Sequence, residues 1–154
     1  MTKKEDILKW IEDVSQLRPE LGGFSICPFA KQAKFEIIEC NASDIKPIPG
    51  YQVVIYIIED DLTLEKVQSW VQIYNEEYKE WKFFEDCASY DTHINGIQTN
   101  NGKYNLILAQ PKEKLRKFRE VLAKTNYYNY WSNDYLKEIL EEDANLLDQG
   151  IETP

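Results

Sequence analysis

The sequence is poor in the residues and patterns that define several protein classes. Its 154 residues include only six glycines and six prolines, which excludes a collagen-like or low-complexity linker protein. The longest apolar run covers residues 53–58 and is strand-sized, far below the roughly 18 residues of a membrane-spanning helix. Basic residues are outnumbered, 18 against 27 acidic ones, and the net charge of −9 opposes binding to nucleic acid or anionic membranes. We therefore expect neither as a partner. The partners left open are another protein, a small-molecule ligand and a second copy of the chain.

Cysteine and histidine are scarce as well. The three cysteines, Cys27, Cys40 and Cys87, lack the C-x-x-C spacing of zinc and dithiol sites. The N-terminus is charged and has no apolar stretch of the kind found in a signal peptide, which favours the cytoplasm. Thiols stay reduced in that compartment. We therefore predict three reduced thiols without a disulfide, no metal site and no cofactor.

The rest of the composition is that of an ordinary globular protein. Hydrophobic residues make up 43% and charged residues 29% of the chain. Its length fits one domain, since domains usually have roughly 100–150 residues. We predict a single domain over residues 1–154, with a folded core over 1–143 and a frayed acidic tail over 144–154.

The first helix has a clear start and end in the sequence. Thr2 and Glu5 have the spacing of a capping box, in which each side chain satisfies a backbone N–H of the first turn. An apolar stripe then follows at helical spacing: Ile7, Trp10, Ile11, Val14 and Leu17. Pro19 should end the helix, because the residue before proline is driven out of the helical region.

Three further helices are predicted from apolar spacing. The second begins near Asp61 or Thr63 and should bury Trp70 and Val71 on the sheet. The third begins at Pro111, and its predicted buried side consists of Leu115, Phe118, Val121 and Leu122. The last begins at Ser132, and its predicted buried side consists of Leu136, Ile139 and Leu140.

Strands are predicted over 34–42, 51–59, 81–89 and 104–110, with 93–98 as a short hairpin partner of the last. The first two should form an antiparallel hairpin. Strand 51–59, its crossover helix and strand 81–89 should form a parallel unit with 104–110 inserted between the two strands. This predicts an α+β fold with an antiparallel-rich sheet of four or five strands and helices mainly on one face. The strand order would be ferredoxin-like, with the edge strand first in sequence.

One short motif has a counterpart elsewhere. The segment Ile26-Cys27-Pro28-Phe29-Ala30-Lys31 follows an amphipathic helix and precedes strands. In this it resembles an uncharacterised bacterial family whose hallmark is a Cys-Pro-Phe-Ala-Lys segment at this place. The family also carries a Phe-His-Pro stretch in its second half, which residues 89–93, Ser-Tyr-Asp-Thr-His, do not reproduce. The resemblance implies no established reaction.

A thiol site centred on Cys27 is the first candidate for chemistry. If Pro28 opens a short helix, Cys27 caps it, and the helix dipole together with Lys31 would stabilise a thiolate. The only histidine, His93, could act with it, with Asp91 orienting the imidazole. The alternative is that Cys27 is a small buried residue plugging the loop and that His93 lies on a surface loop. This alternative is the better supported of the two.

The second candidate is an aromatic connector, residues 127–131, which reads Tyr127-Tyr128-Asn129-Tyr130-Trp131. Aromatic side chains combine apolar area with a polar group, which suits contact surfaces and ligand clefts. The connector could equally be a packing corner, although one or two of its rings should then still be partly exposed. A basic cluster on the preceding helix is interpreted as a solvated face because Glu113 and Glu120 are interspersed. Its members are Lys112, Lys114, Arg116, Lys117, Arg119 and Lys124.

These features support two functional hypotheses, and they leave open whether the protein is an enzyme. The first is a non-catalytic binding or accessory protein that uses Tyr127, Tyr128, Tyr130 and Trp131. The second is a thiol-dependent enzyme or redox protein centred on Cys27, with Lys31, His93 and Asp91 assisting.

Overall fold

The computed structural model describes residues 2–28, 33–94 and 96–142. Its helices are α1 (Lys3–Val14), α2 (Leu64–Glu77), α3 (Lys112–Ala123) and α4 (Asn133–Glu142). Its strands are β1 (Phe35–Cys40), β2 (Val53–Ile58), β3 (Trp81–Asp86), β4 (His93–Ile94), β5 (Ile97–Gln98) and β6 (Leu106–Pro111). None of the helices in these residues has the length and apolarity needed to cross a bilayer. The tail predicted over 144–154 lies outside the described residues.

A mixed four-stranded sheet in the order β1-β2-β6-β3 forms the centre of the fold. Strand β6 runs antiparallel to both β2 and β3, so β2 and β3 are parallel to each other and flank it, as predicted. The α+β class is therefore confirmed. The ferredoxin-like arrangement is not, because β1 pairs with β2 in parallel and the sheet is not purely antiparallel.

The predicted β1–β2 hairpin is wrong, and the connection between the strands explains why. Residues 41–52 number about a dozen, enough for the crossover that parallel neighbours require. Side chains from the sheet and α2 hold this crossover: Tyr74 Oη donates to the Ala42 carbonyl at 2.5 Å, and Tyr56 Oη donates to the Lys46 carbonyl. Residues 46–50, Lys-Pro-Ile-Pro-Gly, have the composition of a turn, which is why a hairpin was predicted. In the structure they lie along the sheet and do not form a tight turn between the two strands.

The predicted pairing of 93–98 with 104–110 is also wrong. Strands β4 and β5 pair only with each other, in a two-stranded antiparallel sheet. The segment Asn100-Asn101-Gly102 has the sequence of a hairpin turn, which is why this pairing was predicted. Its asparagine side chains instead bind neighbouring loops and strand ends. Asn101 Nδ2 donates to Asp86 Oδ1 at 2.5 Å and to the Tyr104 carbonyl at 3.0 Å, which attaches the loop to the end of β3.

The two faces of the sheet carry different helices. On one face α2 covers the core with Val67, Val71 and Tyr74 buried. Trp70 packs on this core too but is only half-buried, stacked on Tyr74 at a centroid distance of 5.7 Å. On the other face, which we call the cavity face, Ile7 of α1 packs against the buried side chains of the sheet. Helices α3 and α4 lie on this side as well, so three of the four described helices share it.

Helix starts follow the sequence more closely than helix C-terminal ends and helix faces do. The capping box of Thr2 and Glu5 is present, and α2 is capped by Thr63, one of the two predicted starts. Helix α1 ends at Val14, so Leu17 lies beyond it and is 77% exposed, which corrects the predicted stripe. On α3 the predicted buried Val121 is 53% exposed, whereas Arg119 is only 7% exposed. The buried side of α3 therefore includes a charged residue.

Candidate functional site: an aromatic cavity on the sheet

A cavity of about 290 Å³ lies between the cavity face of the sheet and the helices on that side. Strand residues on the cavity face form its floor, among them Val53, Phe84 and Leu108, and helices α1 and α3 form its roof. This volume is near the lower limit of ordinary small-molecule pockets, which run from about 300 to 1,000 Å³. Most of its walls are apolar or aromatic.

Helix α3 reaches this cavity because it follows β6 without a loop. Pro111 is the last residue of β6 and also the N-cap of α3, where its missing N–H costs nothing. The chain turns directly into the helix and places Leu115, Phe118 and Leu122 on the cavity wall. On the opposite side Trp10 of α1 lines the cavity, and its indole N–H donates to the Thr99 carbonyl at 3.2 Å.

The aromatic connector forms the end wall. Tyr127 and Tyr128 are buried, each 5% exposed, while Tyr130 and Trp131 are half-buried. Tyr127, Tyr128 and Trp131 line the cavity, and the ring of Tyr130 instead lies against Gly22. The structure therefore places three of the four predicted binding residues at one site, with two rings of the connector partly exposed as expected.

Cys27 borders the same cavity. Cys27 is exposed, so the prediction of a small buried residue that fills the loop is wrong. The loop that carries it is attached at two points: the Cys27 N–H donates to the Val14 carbonyl at 3.0 Å, and Tyr127 Oη donates to the Ile26 carbonyl at 2.5 Å. The helix predicted after Pro28, and Lys31 with it, lie outside the described residues.

His93 and Asp91 are placed elsewhere. His93 is exposed and lines a second cavity that it shares with Tyr130 and Asp134. The Asp91 carboxylate accepts a hydrogen bond from Asn100 Nδ2 at 3.3 Å. Asn100 is buried and also binds the Cys87 carbonyl, which fixes this loop to β3. Cys27 and His93 thus line different cavities, with Trp131 on the border of both.

The other two cysteines have no accessible thiolate near neutrality. Burial, aided by nearby carboxylates, raises the pKa of the Cys40 thiol and that of the Cys87 thiol to about 11 each. No disulfide joins Cys27, Cys40 and Cys87, all of which belong to the described part of the chain. Cys27 is the only exposed one of the three.

Sequence reasoning missed Arg119, the one charged residue among those described on the cavity wall. Its Nη1 donates to Glu142 Oε2 at 2.9 Å, and Lys82 Nζ lies 2.7 Å from Glu142 Oε1. Burial alone would raise the pKa of Glu142, but the hydrogen bonds from Lys82 and Arg119 outweigh it and lower the pKa. A signal existed: Arg119 lies four residues after Leu115 and three before Leu122, which puts a charge on the apolar stripe.

The rest of the basic cluster behaves as a solvated face. Arg116 binds Glu113 and Glu120 at 2.6 and 2.7 Å, one turn away on either side. Lys112, Lys114, Lys117 and Lys124 are exposed. Among the residues that the structure describes, no group of three or more His, Cys, Asp or Glu side chains is placed to hold a metal ion.

No protein-family model matches the chain, and neither curated proteins nor solved structures yield a significant match. The resemblance of residues 26–31 to a bacterial family therefore stays a prediction.

Proposed function

We propose that the protein is a non-catalytic binding protein for a small aromatic or otherwise apolar ligand, which it takes up in the cavity on the sheet. The observation that carries this proposal is the convergence of Tyr127, Tyr128 and Trp131 with Trp10 on one concave, mostly apolar space. Ligand sites in proteins are commonly concave and apolar, with few polar groups that fix orientation.

The burial pattern favours a small molecule over a protein partner. Rings that anchor a protein contact must be reachable from outside, and Tyr127 and Tyr128 are each only 5% exposed. Both residues line the cavity, so the small surface that they keep can contact a molecule held inside it. The connector is therefore better suited to enclose a ligand than to present a surface.

Binding of a neutral aromatic probe tests the proposal. The probe is 2-naphthalenemethanol, with about twelve non-hydrogen atoms; at about −0.3 kcal/mol per atom its binding free energy should be at least about −3.6 kcal/mol, a Kd of about 2 mM or lower. Isothermal titration calorimetry measures the affinity. Two neighbouring positions on α3 provide a matched pair of variants. Leu122→Trp fills the cavity and should weaken binding at least tenfold, whereas Val121→Trp, at an exposed position, should leave it unchanged.

Failure of the wild-type protein to bind the probe, or equal binding by both variants, would refute the proposal. Circular dichroism and urea unfolding of each variant confirm that the comparison is made between folded proteins. A loss of binding in Val121→Trp alone would place the site on the outer face of α3.

A second candidate function is thiol chemistry at Cys27, favoured by the exposure of this residue at the rim of the same cavity. The rate of its alkylation by iodoacetamide between pH 6 and 9 discriminates the two functions. A thiolate at neutral pH would favour an enzyme or redox protein, since the thiolate is the reactive form. An unreactive thiol would favour the binding protein.

A further inference from the structure

Building on the proposed function, we propose that the ligand is an apolar carboxylate whose carboxylate group is bound by Arg119 while its apolar body fills the aromatic cavity. Two donor groups on the cavity wall support it, Arg119 with a single acceptor and Trp131 with none among the described residues, together with the charge balance around them.

Arg119 is the first such donor. Arg119 is only 7% exposed and lines the cavity. Its guanidinium group carries five N–H donors. Within residues 2–28, 33–94 and 96–142 its only hydrogen bond is the one from Nη1 to Glu142. A buried cation is costly unless its donors are satisfied, because the charged form loses its hydration. The guanidinium fork fits a carboxylate through two parallel hydrogen bonds.

The second donor is the indole N–H of Trp131. Its Nε1 is fully buried and makes no hydrogen bond in the described part of the chain, although it lies near the Tyr127 hydroxyl and slightly lowers the pKa of that group. That hydroxyl donates to the Ile26 carbonyl, and its oxygen is not within hydrogen-bond geometry of the Trp131 N–H. The spare hydrogen-bonding capacity on this wall therefore belongs to donors, the guanidinium fork of Arg119 above all, which favours a ligand that carries an acceptor.

The charge around Arg119 also favours an anion. Lys82 and Arg119 share the single carboxylate of Glu142, which leaves one positive charge in excess. Arg119 lies on the border between the aromatic cavity and a neighbouring cavity, whose charged lining also includes the basic Lys82, Lys112 and Arg116 and the acidic Glu113 and Glu142. This is a positive site on a chain whose net charge is −9. A ligand with its charge at this border and its rings between the aromatic walls satisfies both environments.

A matched pair of probes tests the inference in calorimetric titrations at pH 7.5: 2-naphthoate and the neutral 2-naphthalenemethanol. We expect wild-type protein to bind the carboxylate at least tenfold more tightly than the alcohol, a difference of about 1.4 kcal/mol. Arg119→Met should abolish this preference and keep the affinity for the alcohol. Lys114→Met, which removes a positive charge from an exposed position of the same helix that lines neither cavity, should retain the preference.

The outcomes separate the two proposals. If neither probe binds, the proposed function fails and this inference with it. If both probes bind wild-type protein equally well, the binding function stands and the carboxylate assignment is overturned. A preference that persists in Arg119→Met would also overturn it. Should Arg119→Met fail to fold, Arg119→Lys, which keeps the charge but not the fork, is expected to reduce the preference at least threefold, and an unchanged preference refutes the role of Arg119.

Discussion

Replacing Tyr127 with phenylalanine removes a single hydroxyl group from the end wall of the cavity and tests how the Cys27 loop is held. The Tyr127 side chain is 5% exposed and donates to the Ile26 carbonyl at 2.5 Å. Burial raises the pKa of this hydroxyl well above its ordinary value, so the group remains a neutral donor throughout the pH range of interest. The hydrogen bond should therefore contribute equally at pH 6 and pH 9.

The magnitude follows from the burial of both partners. A neutral hydrogen bond contributes about 0.5–1.5 kcal/mol, and a buried carbonyl left without a donor costs about 1–3 kcal/mol. Ile26 is 8% exposed, so its carbonyl has little access to water. We expect Tyr127→Phe to lower the free energy of unfolding by about 1–2 kcal/mol. Tyr127→Ala removes the ring as well and should cost about 3–5 kcal/mol.

Urea unfolding followed by circular dichroism measures these changes. With an m-value of about 2 kcal/mol/M, the midpoint of Tyr127→Phe should fall by about 0.5–1 M. Tyr90→Phe is the control, because Tyr90 is 56% exposed and its replacement should change stability by less than about 0.5 kcal/mol. Equal midpoints for Tyr127→Phe, Tyr90→Phe and the wild type would show that the hydroxyl does not hold the loop.

Two further predictions concern thiols and acid stability. Iodoacetamide at pH 8 should modify Cys27 first and Cys40 and Cys87 only after unfolding, since a pKa of about 11 leaves roughly one thiolate in a thousand. Mass spectrometry follows the order, and simultaneous modification of all three in the native protein would contradict it. Because the folded-state pKa of Glu142 is lowered from 4.5, its ion pairs stabilise the fold above that pH and are lost as the pH falls through the folded-state value. Glu142→Gln should therefore lose less stability than the wild type between pH 6 and 3.5 in urea titrations, and an identical loss would argue against these ion pairs.

Local features of this protein were determined by the sequence alone. The capping box of Thr2 and Glu5, the start of α2 at Thr63 and the central strand β2, buried from Val54 to Ile58, are all present where the pattern predicts them. Each depends on interactions within a few residues, or on an apolar run that can only lie between two covered faces. The strand order around β6 also followed, because the handedness of the β2–α2–β3 unit leaves few alternatives.

Strand direction and helix orientation were decided by tertiary contacts. Turn residues between β1 and β2 suggested a hairpin, but bonds from Tyr56 and Tyr74 hold the same residues in a crossover. Leu17 and Val121 fit an apolar stripe by spacing, yet one lies past the end of α1 and the other faces water. Periodicity states which residues share a helix face and leaves open where the helix ends and which way it is turned on the sheet.

The candidate site shows the same division. The sequence drew attention to Cys27 and to the aromatic connector, because a cysteine before proline and four rings in five residues are unusual locally. It could not show that they meet at one cavity while His93 borders another, since these residues are far apart in the chain and only the packing of α1, α3 and the connector on the sheet brings them together. The burial of Arg119 on the cavity wall could not be predicted for the same reason. A charged side chain on a helix is usually solvated. Arg119 can be buried because it pairs with Glu142, which lies more than twenty residues later in the chain.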